Sequence, residues 1–185
     1  APNNSHAYGP GEAGYVAALK AYDTAFGKFF ARLKADGIDE TNALFVVVPD
    51  ENDHFAGAGP VPANCDGVTV TCTYSKLGEV AAALPPLLST QKGNTTAFDL
   101  HFDTAPNFYI RGNPGQTDAV TRKLETDTGS ITVTNPISGL HETINTYIAD
   151  QAEMKLLHMV TFSAQRTPNF TMFAKPDYYV NTYRS

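Results

Sequence analysis

Between residues 11 and 36, apolar positions recur at helical spacing: Val16, Leu19, Tyr22, Phe26, Phe29, Phe30 and Leu33, with polar residues between them. The pattern predicts one amphipathic helix, ended by Gly37. After a short turn comes "NALFVVVP", an unbroken apolar run. Such a run predicts a strand buried on both faces, as in a parallel sheet flanked by helices. Helix, tight turn and buried strand together make one unit of an α/β fold.

The texture then changes. From about residue 57 to residue 145 the chain is rich in Gly, Pro and Thr, and its elements are shorter. A helix is predicted over residues 75–84, with Pro85-Pro86 as its terminator. "AFDLHF" and "NFYIRG" read as short strands around "DTAP", "DAVTRKLETD" as a short helix, and "SITVTN" as a strand by alternation. Helical character returns over residues 144–157, followed by "LLHMVTF" and "NFTMFAK" as strands. The organisation expected is therefore an α/β core built from residues 1–57 and 146–185, with residues 58–145 as an inserted, cap-like α+β subdomain.

Composition narrows the picture. The 185 residues suit one domain with a large excursion, and 42% hydrophobic against 17% charged content describes a globular chain. A net charge of -6 argues against a nucleic-acid or anionic-membrane surface, which needs clustered Lys and Arg. No apolar run approaches the roughly 20 residues of a spanning helix, and no signal-peptide pattern is visible.

Two cysteines stand in "NCDGVTVTC", Cys65 and Cys72. The spacing does not match a zinc ribbon. A turn at Asp66-Gly67 brings the sulfurs together, and a disulfide closing so small a ring is worth about 2.5 kcal/mol in the loop-entropy model. That disulfide is the expectation, and it places the protein in the periplasm or outside the cell. The alternative is two unpaired thiols in a cytoplasmic loop.

Chemistry concentrates in "PDENDHF", at the end of the predicted strand. In open α/β sheets ligands gather where strands end. Asp50, Glu51, Asp53 and His54 offer the oxygen and nitrogen donors expected for Zn²⁺ or Mn²⁺. Adjacent Asp53 and His54 point opposite ways in extended chain, so they suit one ion each of a two-metal site, with ions about 3.5–4 Å apart. The competing reading is an acidic turn with a solvated His.

"SHAYGPGEAGYVAALKAYDTAFGKFFARLKADGIDETNALFVVVPDENDHFAG" resembles the alkaline phosphatase superfamily, in its phosphodiesterase and nucleotide pyrophosphatase branch. The likeness is an ordered series over roughly the first 57 residues. It runs through a His followed by Gly-Pro, a helix with "AL…YD" and "FGKFFARL", a Gly turn, an apolar strand and an Asp-His pair. The resemblance implies hydrolysis of phosphate mono- or diesters with two divalent metal ions, zinc above all. It makes His6 a ligand of one metal and Asp53 and His54 the adjacent pair, with Asp50 as a rival to Asp53.

This sequence also departs from the family pattern. Pro2 stands where an Asp is expected, residues 50–52 intervene before the Asp-His pair, and no nucleophilic Ser or Thr in the family's setting is recognisable. The closing His of the metal site is also not evident. His158 reads as a core histidine and His141 as a surface residue. These gaps are those of an internal fragment of a secreted phosphoesterase, itself inactive, in which "HFDTAPNFYIRG" lines a substrate cleft with His101, Asp103 and Arg111. Ordinary strand and loop polarity is the plainer account of those three. Two other readings are a secreted, non-catalytic binding module and a family member that keeps only the scaffold.

Overall fold

Helix α1 (Ala13–Ala35) forms where its periodicity predicts it. The computed structural model describes residues 8–47, 56–102 and 105–182. Arg32 and Lys34 occupy the last turn of α1, where the helix dipole favours cations. Gly37 then takes a left-handed φ of +79°, its amide donates to Lys34 O at 3.1 Å, and that of Ile38 donates to Leu33 O at 2.9 Å. This pair of bonds is the Schellman arrangement that stops a helix.

The chain divides into two units, residues 1–52 with 57–77, and residues 53–56 with 78–185. In the first unit α1 buries no residue. The predicted buried strand does not form over residues 43–47. They carry no strand pairing, and Leu44 is 89% and Val47 74% exposed. A strand buried on both faces needs neighbours on both sides, and the described residues of this unit provide none. A closed loop completes the unit. Val61 and Thr73 pair as an antiparallel bridge, and Cys65 and Cys72 form the expected disulfide with their Cα atoms 5.2 Å apart. The carboxylate of Asp66 accepts from the amides of Val68, Thr69 and Val70 and fixes the turn between the two cysteines.

Two-residue strands β1 (Ala56–Gly57) and β2 (Leu77–Gly78) pair with each other. The second unit continues with β3 (Val80–Ala83), α2 (Leu84–Lys92), β4 (Phe98–His101), β5 (Asn107–Ile110) and α3 (Ala119–Gly129). Then follow β6 (Thr132–Thr134), β7 (His141–Thr143), β8 (Asn145–Ala149), α4 (Gln151–Leu156), β9 (Phe170–Ala174) and β10 (Tyr178–Asn181). The result is a mixed α/β structure. An antiparallel sheet of order β4-β5-β9-β8 lies beside a parallel pair, β10-β3, and a β6-β7 hairpin. The larger sheet joins strands from both sides of residue 145. Its inward positions, Phe108, Ile110, Phe170 and Met172, meet Leu84, Leu88, Leu124, Val180 and Tyr178 in one core. The rings of Phe108 and Phe170 stack at 4.2 Å.

Three predicted elements shift. Of the helical stretch expected over residues 144–157, the first part pairs with β9 as β8 and only Gln151–Leu156 is helix. The helix expected over residues 75–84 instead begins at Leu84, with Pro85-Pro86 in its first turn, while β3 occupies the residues before it. Proline ends a helix only from within, and in the first turn its missing N–H costs nothing. "LLHMVTF" is not a strand but the turn after α4, in which His158 takes a left-handed φ of +56° and is exposed. His158 is therefore no core histidine.

Candidate functional site

His6, Asp50, Asp53, His54 and Asp103 lie outside the described residues. Among the described residues no group of three or more His, Cys, Asp and Glu is placed to hold a metal ion. The three described histidines sit apart by element: His101 ends β4, His141 begins β7 with its Nδ1 3.3 Å from Thr134 Oγ1, and His158 follows α4.

The β4-β5 hairpin decides how His101 and Arg111 relate. Phe98 and Leu100 point inward, so Asp99 and His101 share the outward face. His101 pairs with Asn107, whereas the Arg111 amide donates to Ala97 O beyond the other end of the register. Four residues of strand, about 13 Å, separate the two positions. Arg111 Nη2 instead meets Asp99 Oδ1 at 3.0 Å, with both side chains about two-thirds exposed. So exposed a pair contributes at most about 1 kcal/mol. The hairpin thus displays His101 and Arg111 without converging them.

Inside the second unit two polar clusters stand out. On α3, Glu125 is buried. Its Oε2 lies 2.6 Å from Arg122 Nη1, while Oε1 and the Oγ1 of Thr128 one turn on lack hydrogen-bond partners. Burial pushes the Glu125 carboxyl up to about 7 against the pull of Arg122, with Asp150 and Glu153 adding to the rise. The second cluster centres on Glu142, which accepts from Lys175 Nζ at 2.5 Å and from Tyr178 Oη at 2.9 Å. The Lys175 bond, then the Tyr178 bond, holds the Glu142 carboxyl below its usual range. Burial, then Glu142, pushes the Tyr178 phenol up to about 12. Each partner satisfies the other, which is the chemistry of a structural tie.

A groove of about 490 Å³ opens over the outer face of the parallel pair, lined by Ala81, Ala83, Pro86, Leu87, Thr90, Val133 and Asn181. Its size suits a small molecule. Among the described residues no ionisable side chain lines it. Sequence reasoning passed over Glu125, although a signal existed. Thr121, Leu124, Glu125 and Thr128 fall at the i, i+3, i+4, i+7 spacing of one helix face, and all four are buried.

No family model matches this chain, and no curated protein or solved structure matches it significantly.

Proposed function

We propose that this chain is part of a secreted, metal-dependent phosphoesterase of the alkaline phosphatase type, acting on small phosphate esters from a three-layer α/β core. The observation that carries the reading is the ordered series from His6 through the α1 pattern to Asp53-His54. The donor set fits the metals, since imidazole nitrogen and carboxylate oxygen are zinc's ligands when thiolate is not offered. His6, Asp53 and His54 would hold two zinc ions, with Asp50 as the alternative carboxylate. When bound, the ions stabilise the attacking and leaving oxygens of phosphoryl transfer. Support comes also from α1, which runs over its expected span and presents Leu19, Phe26 and Phe29 about half exposed, as an element made to lie against a larger core does. The disulfide agrees with secretion, and no helix among the described residues is long and apolar enough to cross a membrane.

Zinc content and hydrolysis of bis(p-nitrophenyl) phosphate test the reading, on the protein encoded by the whole reading frame and on this chain alone. The whole protein is expected to carry two zinc ions and turn over the diester. Asp53→Asn and His54→Ala should each lose metal, and this chain alone should be inactive. A whole protein that takes up no divalent metal removes the proposal. It would leave the second reading, a secreted binding module, which the exposed aromatic face of α1 favours.

A further inference from the structure

The loop closed by the disulfide grips the chain just ahead of α1. Gly11 O accepts from the Cys72 amide at 3.1 Å, and Pro10 O accepts from Tyr74 Oη at 2.8 Å. A Cβ on Gly9 would lie 2.4 Å from the Tyr74 ring, one on Gly11 2.6 Å from Cys72 Sγ, and one on Gly67 2.5 Å from Gly11 Cα. Backbone approaches this close admit only glycine. Gly9 is buried and Cys72 is 4% exposed, so the grip is a packed junction. Since α1 buries no side chain of its own, this junction at its start carries weight that packing would otherwise carry.

We propose that the Cys65–Cys72 disulfide is a redox-sensitive lock on residues 9–11, and through them on the start of α1. Closed, the ring holds the Cys72 amide and the Tyr74 hydroxyl against Pro10 and Gly11. A dithiol reductant opens it: one thiolate displaces a cysteine sulfur to form a mixed disulfide, and the second thiol closes the reductant's own disulfide. Two electrons and two protons pass to the protein, which is left with two cysteine thiols. Cys65 is the less buried of the two residues. On the phosphoesterase reading, on which this further consequence rests, His6 stands three residues ahead of Gly9. The lock then anchors the chain three residues on from that imidazole.

Amide hydrogen exchange on this chain tests the lock in three forms: oxidised, reduced with dithiothreitol, and as the thiol-free C65S/C72S variant. The amides to follow are those of Glu12, Val16 and Cys72, which donate to Gly9, Glu12 and Gly11. They should exchange about tenfold faster in the reduced and variant forms, while the Met172 amide in β9 stays unchanged. Unchanged exchange at Glu12 and Val16 overturns the lock, as does an equal rise at Met172, which would mean general loosening. Tyr74→Phe keeps the disulfide and removes the bond to Pro10, so it should give a smaller rise at Glu12, and none there counts against the grip. Zinc titration separates the two ideas. Weaker binding by C65S/C72S than by the oxidised chain supports the consequence for His6, and equal binding removes it. No zinc binding by the protein of the whole reading frame strikes the phosphoesterase reading and not the lock.

Discussion

Glu125 shares the core-facing side of α3 with Leu124 and Thr121 and holds a carboxyl whose ordinary value of 4.5 is raised to about 7 by burial. A raised carboxyl means the folded state binds the proton more tightly. The stability that proton contributes is fully present below about 4.5 and is lost as pH rises through about 7. Thermal melts of the wild type should therefore fall between pH 5 and pH 8. Glu125→Gln should flatten that slope and gain on the order of 2–3 kcal/mol at pH 8. A variant whose slope matches the wild type would show that Arg122 already compensates the charge. Asn169 makes the opposite case, a buried polar residue with every need met. Its Oδ1 accepts from Ile110 N at 2.7 Å and its Nδ2 donates to Pro114 O at 2.9 Å. Asn169→Ala strands the Ile110 amide in the core and should cost about 2 kcal/mol in urea denaturation. The role of Asn169 was not legible in the sequence, because burial is a property of what lies opposite, whereas Glu125 was marked only by the helical spacing it shares with Thr121, Leu124 and Thr128.

Local chemistry set several elements. Asp150 accepts from the amides of Ala152 and Glu153 and the Glu153 side chain accepts from the Asp150 amide, so the short α4 has a complete capping box. Asp150 also reaches Arg122 at 3.2 Å. Asp150→Ala should cost about 1 kcal/mol of stability, seen as lost helical circular dichroism, and Asp150→Asn should recover most of it. The strands of "AFDLHF", "NFYIRG", "SITVTN" and "NFTMFAK" and the α3 helix stand where alternation and periodicity put them. "EVAAALPPLL" did not, because its apolar residues suit helix or strand equally. What separates β3 from α2 is the pairing of Val80 with Tyr178, nearly a hundred residues on. "NALFVVVP" shows the same limit from the other side, since a strand needs a partner and residues 43–47 have none among the described residues.

Over the whole molecule, apolar side chains fall into two classes that composition does not distinguish. Phe108 is fully buried, whereas Phe29 is 53% exposed on α1. Phe108→Ala should cost about 3–5 kcal/mol, and Phe29→Ser about 0.5 kcal/mol or less, both read from urea denaturation of this chain. A large loss at Phe29 would mean that the helix face is covered after all. Should a larger core cover that face in the whole protein, Phe29→Ser would become costly there. By itself the sequence determined α1 with its Gly37 stop, the strands that alternate, and the disulfide in its eight-residue ring. These depend on periods and turns within a few residues of one another. Only the tertiary structure decided that residues 80–83 pair as a strand with residues 178–181, and that Asn169 is buried with its amide bonded to Ile110 and Pro114. Those outcomes turn on contacts between residues distant in the chain, and no local pattern carries them.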